Sequence, residues 1–191
     1  MSFPLDFPDR SYRNKKNFEN ILRALNFYKP VKKRPIICIG TVVTRDNFNK
    51  LQEIGRLLEN YPIDVWKLYQ FTPTGGNAKK NRGKLEITKT LFNQATKNLK
   101  CLFSNHFKVI ISPARERSKA YFLIKPDGVV FTPIKENNSF GEIKIGNIFD
   151  KDIEEKWSKA KVSGNYLKKI ECFNQQFFKS KNQNSKNTLN Y

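Results

Sequence analysis

Three cysteines, one histidine and a run of cations are the residues of this chain best suited to chemistry. Cys38, Cys101 and Cys172 lie more than 60 residues apart from one another. They make neither a CxxC pair nor a disulfide framework. Thiolates are the soft ligands of iron–sulfur clusters, and a cluster needs several of them close together. His106 is the only histidine, so a zinc site built on histidines fails on count. It follows a helical stripe and reads as a helix-end residue. Thr72 to Lys84 spells TPTGGNAKKNRGK, with Lys79, Lys80, Arg82 and Lys84 beside Gly75, Gly76 and Gly83 and no acid. Such a loop can cradle phosphate through amides and charge, but its spacing matches no Walker loop. Arg115, Arg117 and Lys119 form a second basic cluster. Asp6, Asp9, Asp46 and Asp64 fall at no spacing that pairs carboxylates for acid–base work.

Composition narrows the class. The chain has 191 residues and carries 36 Lys and Arg against 17 Asp and Glu, a net charge of +19. A basic excess draws anions without naming them. Nucleic acid would bind with an affinity that falls with salt; a solvated Lys-rich and Asn-rich surface is the plainer reading. The 16 Phe, 7 Tyr and 2 Trp require a core, and one ordinary domain fits the length. No apolar run reaches 18 residues, so no transmembrane helix is expected. The start has acidic residues and no apolar h-region, so no secretory signal is expected. With scattered cysteines, a reduced, cytoplasmic setting is expected.

The elements that would position these residues can be read from periodicity. Residues 1–14, with Pro4 and Pro8, read as a loop. Phe18, Ile21, Leu22, Leu25 and Tyr28 recur at helical spacing and predict a helix over 15–28, ended by Pro30. Pro35 to Val43 is almost wholly apolar, the pattern of a strand covered on both faces, as in a parallel sheet. Thr44 or Asp46 can cap the next helix, whose inward face is Leu51, Ile54, Leu57 and Leu58; Gly55 within it permits a close approach. Ile63 to Phe71 is a second strand, completing a βαβ unit. The basic loop Thr72–Lys84 then falls at the carboxyl end of a strand, where α/β folds place their sites. Thr88 can cap a third helix lined by Leu91, Phe92, Ala95, Leu99, Leu102 and Phe103. Phe107 to Ser112 is a short strand, giving three parallel strands at most. Ala120–Ile124 and Val129–Pro133 flank Lys125–Gly128 as a hairpin, with the glycine at positive φ. Ile143, Ile145 and Ile148 mark a further extended piece with Gly146 as a bend, and Asp150 or Asp152 begins a short helix bearing Ile153 and Trp157. The polar tail beyond Gln175 reads as disordered.

The ordered segments NFENILRAL (17–25), PIICIGTVVTRDNFNKLQEIGRLL (35–58) and DVWKLYQFTP (64–73) resemble the second half of a radical S-adenosylmethionine (radical SAM) enzyme barrel. YFLIKPDGVVFTP (121–133) and GNIFDKDIEEKW (146–157) resemble that family's closing hairpin, GNI-type turn and Trp-bearing helix. The likeness spans residues 5–160. It implies an α/β fold: a partial (β/α) barrel over 1–112, holding about the last two barrel strands and three helices. A hairpin and short helix follow over 113–165, and a Lys/Asn-rich tail over 166–191.

The family holds a four-iron cluster on CxxxCxxC and grips the cofactor's methionine with a GGEP-like motif. This chain has neither. The resemblance therefore implies a truncated or split radical SAM-like protein, inactive by itself, with no catalytic residue and no metal ligand of its own. S-adenosylmethionine and a 4Fe-4S cluster would enter only if an amino-terminal partner half supplied the missing motifs. What the resemblance leaves here is the adenosine end of the cofactor site: Thr41, Val43 and Asn47 on and after one strand, and Gln70, Phe71 and Pro73 at the end of the next. A small basic protein that binds nucleic acid through Thr72–Lys84 and its tail is the alternative, with polyanion binding and no membrane partner.

Overall fold

The computed structural model describes residues 2–4, 15–74, 76–136 and 139–160. The chain divides into two units, Met1–Ala114 and Arg115–Tyr191. Each is mixed in content, and together they hold two small sheets and several helices with no closed barrel among the described residues.

The first unit is built on a four-stranded sheet of β1 (Ser2–Pro4), β2 (Cys38–Val43), β3 (Val65–Gln70) and β4 (Lys108–Ser112). The strands stand in chain order and every pairing is parallel. Parallel neighbours need long crossovers, and each crossover here is helical. Helix α1 (Lys15–Phe27) joins β1 to β2, and α2 (Leu51–Glu59) joins β2 to β3. Four helices lie between β3 and β4: α3 (Gly76–Lys80), α4 (Arg82–Leu85), α5 (Lys89–Thr96) and α6 (Leu99–Leu102).

Side chains alternate across a strand, and the registers fix which of them share a face. Ile39 pairs with Trp66 and Trp66 with Val109; Thr41 pairs with Leu68 and Leu68 with Ile111; Val43 pairs with Gln70. This face carries the core. Leu25 of α1, Leu51, Ile54 and Leu58 of α2, Phe92 of α5 and Leu99 of α6 are fully buried with Ile39, Val43, Trp66 and Leu68. Trp66 meets the rings of Phe103 and Phe107 edge-on. The close approach expected at Gly55 is made by Phe103, whose ring fills the place where a Cβ would stand. At the amino-terminal edge, Arg34 sets its guanidinium fork on the Asp64 carboxylate at 2.6 and 3.3 Å, and Asp64 also accepts the Ile37 N–H at 2.8 Å.

Several expectations are corrected. Ser2–Pro4 is a strand, because pairing with β2 supplies what three residues cannot supply alone, and it raises the parallel strands from three to four. β2 is not covered equally on both faces: Ile39, Thr41 and Val43 are buried, whereas Cys38, Gly40 and Val42 are half-buried. Neither Thr44 nor Asp46 caps α2, which is entered through a 3-10 turn at Phe48–Lys50 without a side-chain cap. The basic segment is not one loop but holds α3 and α4. The third helix breaks between Thr96 and Leu99, which turns Leu102 outward, 48% exposed. Thr88 does cap α5, accepting the Leu91 N–H at 3.2 Å.

The second unit is a three-stranded antiparallel sheet of β5 (Leu123–Ile124), β6 (Val129–Glu136) and β7 (Ser139–Asn147), followed by α7 (Ile153–Ala160). The Lys125–Gly128 turn is present, with Gly128 at φ +80°. β7 ends in a latch. Asn147 donates from Nδ2 to the Asp127 carbonyl and accepts the Phe149 N–H at Oδ1. Asp150 Oδ2 accepts the Asn147 N–H at 3.0 Å and the Lys156 ammonium at 2.9 Å. The latch crowds position 146: a Cβ on Gly146 would stand 2.5 Å from Asp150 Oδ2, so the carboxylate would have to move to admit it. The expected tail, like Cys172, lies outside the described residues.

Candidate functional site

Parallel α/β sheets present their sites at the carboxyl ends of the strands, where loops converge without closing the backbone hydrogen bonds of the sheet. In this chain that edge is made by Val43–Asn47 after β2, Gln70–Thr74 after β3 and Ser112–Ala114 after β4. All three belong to the first unit.

The structure brings five of the six residues implied as the adenosine end to this edge, leaves Thr41 within β2 behind it, and engages most of their polar atoms within the fold. Thr41 is fully buried on the helix-covered face, and its Oγ1 accepts the Trp66 Nε1–H at 3.0 Å. Val43 is fully buried in the same core. Asn47 is 7% exposed and clamps its own loop, accepting the Thr44 N–H at Oδ1 and donating from Nδ2 to the Val42 carbonyl, both at 2.8 Å. Gln70 donates to the Ile87 carbonyl and accepts the Ala114 N–H, each at 3.0 Å, so it ties the segment before α5 and the end of β4 to the tip of β3. Phe71 and Pro73 are buried, and the Phe71 N–H donates to the Val43 carbonyl at 3.0 Å. These contacts build the edge.

The sheet has a second face, turned away from the helices. The registers put Gly40, Lys67 and Ile110 in one row across it, and Val42, Tyr69 and Ser112 in the next. Gly40, Val42, Lys67, Tyr69 and Ile110 are half-buried there, and Val65 and Ser112 on the same face are buried; on the opposite face the residues of β2 and β3 are all buried and Ile111 of β4 is half-buried. In a (β/α) barrel the helices lie outside, so this is the face such a barrel would turn inward. Tyr69 and Ser112 are its polar side chains nearest the carboxyl edge, with Lys67 in the row behind them. A lone Lys and a lone Tyr inside an apolar strand carry no spacing signal, so neither stands out in the sequence.

A second feature of the edge is cationic. The Arg45 N–H donates to the Leu85 carbonyl at 3.1 Å and its guanidinium to the Gly83 carbonyl at 3.3 Å, which fastens the β2 loop to α4. Arg45, Lys79, Lys80, Arg82 and Lys84 are all exposed there. Arg82 Nε donates to the Glu86 carboxylate at 2.7 Å.

The four-iron cluster does not fit the residues described. Cys38 opens β2, and Cys101 is exposed on α6. Among the described residues no three His, Cys, Asp or Glu side chains group to hold a metal ion. Outside the sheet edge, His106 Nε2 lies 3.2 Å from Glu59 in an exposed pair. Lys108, on the exposed start of β4, has its pKa lowered by partial burial and then by the charge of Lys100. No described helix is long and apolar enough to cross a membrane. No protein-family model matches this chain, and no curated protein resembles it in sequence.

Proposed function

We propose that the first unit is an arc of a (β/α) barrel of the radical SAM kind. On this reading the chain is catalytically silent by itself and contributes strands to a barrel whose cysteine loop lies on another polypeptide segment. The observation that supports it is the sheet: four parallel strands in chain order, each joined to the next through helix, with one face sealed by helices and the other half-open. An open parallel sheet of this order has two edges with unpaired backbone groups, and closing a barrel is one way to pair them. The residues turned toward a cofactor in the closed barrel are then Gly40, Val42, Lys67 and Tyr69 on the open face, with Thr41, Asn47 and Gln70 holding the edge in shape behind them.

The test is titration calorimetry with S-adenosylmethionine, on the chain alone and on the chain mixed with a separately expressed amino-terminal half bearing CxxxCxxC. The upstream coding sequence is the first place to look for that half. Binding by the pair and not by the chain alone is expected, weakened by Tyr69→Ala. Tight binding by the chain alone, or no binding by a pair that co-purifies, overturns the reading.

A further inference from the structure

We propose that the exposed cations at the carboxyl edge of the first sheet form a binding surface for the phosphate backbone of a nucleic acid. This stands on an observation independent of the barrel reading. Five cations, Arg45, Lys79, Lys80, Arg82 and Lys84, come from two segments that are distant in sequence. The Arg45 bonds to the Gly83 and Leu85 carbonyls hold those segments together, so the charges share one edge of the unit. From Thr72 to Leu85 there is no acidic residue. Asp46 and Glu86 are the nearest acids in sequence; both are half-buried, and Glu86 pairs with Arg82 at 2.7 Å, so the charge of Arg82 is shared with that carboxylate. The chain as a whole adds a field of the same sign, at +19, which raises the local concentration of polyanions.

The form of the surface selects the ligand. A single phosphate is held by converging backbone N–H groups in a cradle. Here the cations instead stand exposed along two short helices, and the space around Gly83 is open to 4 Å. Several exposed point charges on one edge suit a ligand that carries its own repeating charge. A membrane surface is disfavoured, because basic segments that lie on lipid pair their cations with an apolar face. Among the described residues of this unit, the exposed large apolar side chains are Phe27 and Leu102. They end α1 and α6, on the segments that lead into the amino-terminal ends of β2 and β4. Among the described residues none lies between Thr72 and Thr90.

The experiment is fluorescence anisotropy of a labelled single-stranded oligonucleotide with the full chain over a range of salt. Affinity is expected to fall linearly with salt on logarithmic axes. The triple variant Lys79→Gln/Lys80→Gln/Lys84→Gln is expected to bind about tenfold more weakly or worse at low salt. Its salt slope should shrink by roughly 2, near 0.7 for each phosphate of a single strand that is no longer neutralised. A control variant, Lys32→Gln/Lys33→Gln/Lys97→Gln, removes equal charge from exposed positions elsewhere in the unit. Unchanged circular dichroism in both variants shows that each is folded. Equal losses in the two variants would show only diffuse attraction to a basic protein, and would overturn the assignment. So would absence of binding at low salt, or binding to phosphatidylserine vesicles without binding to the oligonucleotide.

Discussion

Thr41 and Thr132 are both fully buried in strands, and their hydroxyls meet opposite surroundings. Thr41 Oγ1 accepts the indole N–H of Trp66, which is itself fully buried. Thr132 Oγ1 has no hydrogen-bond partner among the described residues. Valine has nearly the shape of threonine without the oxygen. Thr41→Val would leave a buried indole donor unsatisfied, at a cost of about 1–3 kcal/mol. Thr132→Val removes an unsatisfied group and is expected to be neutral or to stabilise by about 1 kcal/mol. Chemical denaturation of the two variants should therefore give shifts of different sign or very different size; equal destabilisation would contradict the assignment of both sites. The same strands mark a limit of the sequence. Cys38, Gly40 and Val42 on the open face of β2 are as apolar as Ile39 and Val43 on the sealed one, so the strand shows no polar alternation. Parity decides which face a residue serves, and apolar runs conceal parity. Gln70 is legible as belonging to the edge of the sheet, and Thr41 to the strand behind it. Their inward bonds to Trp66, Ile87 and Ala114 are not, because those partners lie 17 to 44 residues away.

At the level of elements, most helices and the hairpin are written in local pattern. α1 follows from its aromatic and aliphatic stripe, α5 from the Thr88 cap, and the β5–β6 turn from Asp127-Gly128. What local pattern hides depends on tertiary pairing or on loop geometry: β1 exists through β2, and α2 begins where the Asn47 clamp ends. Gly55 tests the packing of α2. Replacing a mid-helix glycine with alanine normally gains about 1 kcal/mol in helix propensity. Here the new methyl would overlap three carbons of the Phe103 ring, and overpacking of this kind costs about 1–3 kcal/mol. Gly55→Ala is expected to destabilise the chain on balance, and the added change Phe103→Leu to recover part of the loss. Destabilisation by Gly55→Ala that Phe103→Leu leaves additive would place the strain elsewhere.

The latch of the second unit responds to pH in a direction that can be worked out. The Asn147 N–H, and then the Lys156 ammonium, hold the Asp150 carboxyl below its usual range. A carboxyl depressed in the folded state stabilises fully above its unfolded value, about pH 4, and that contribution is lost as pH falls through the lower folded value. Lys156 is raised by Asp152 and then Asp150, so its contribution is complete below the unfolded lysine value and lost only as pH rises beyond the folded one. Hydrogen exchange at the Asn147 amide should accelerate as pH falls below about 4, after correction for the intrinsic rate. Asp150→Asn should flatten that acid dependence. An identical acid profile in the variant would remove Asp150 as its source. Gly146→Ala, which forces a methyl against the same carboxylate, should open the latch at all pH values.

On the scale of the whole molecule, the missing chemistry is a matter of distance between thiols. Site-differentiated four-iron clusters are held by thiolates brought within one metal–sulfur core of each other. In this chain Cys38 begins the second strand of the sheet and Cys101 is on the surface of α6, with 62 residues between them in the sequence and β3 and four α-helices along the way. Anaerobic incubation of the full chain with iron and sulfide, followed by desalting, should leave protein without the broad visible absorbance of a cluster and without stoichiometric iron. The informative control is the same procedure on the chain mixed with an amino-terminal half bearing CxxxCxxC, in which any cluster formed should survive Cys38→Ser and Cys101→Ser in this chain. A stable cluster on the chain alone, lost on replacing Cys38 or Cys101, would show that these thiols converge in solution. It would overturn both the expectation of no resident metal ligand and the division of labour between halves.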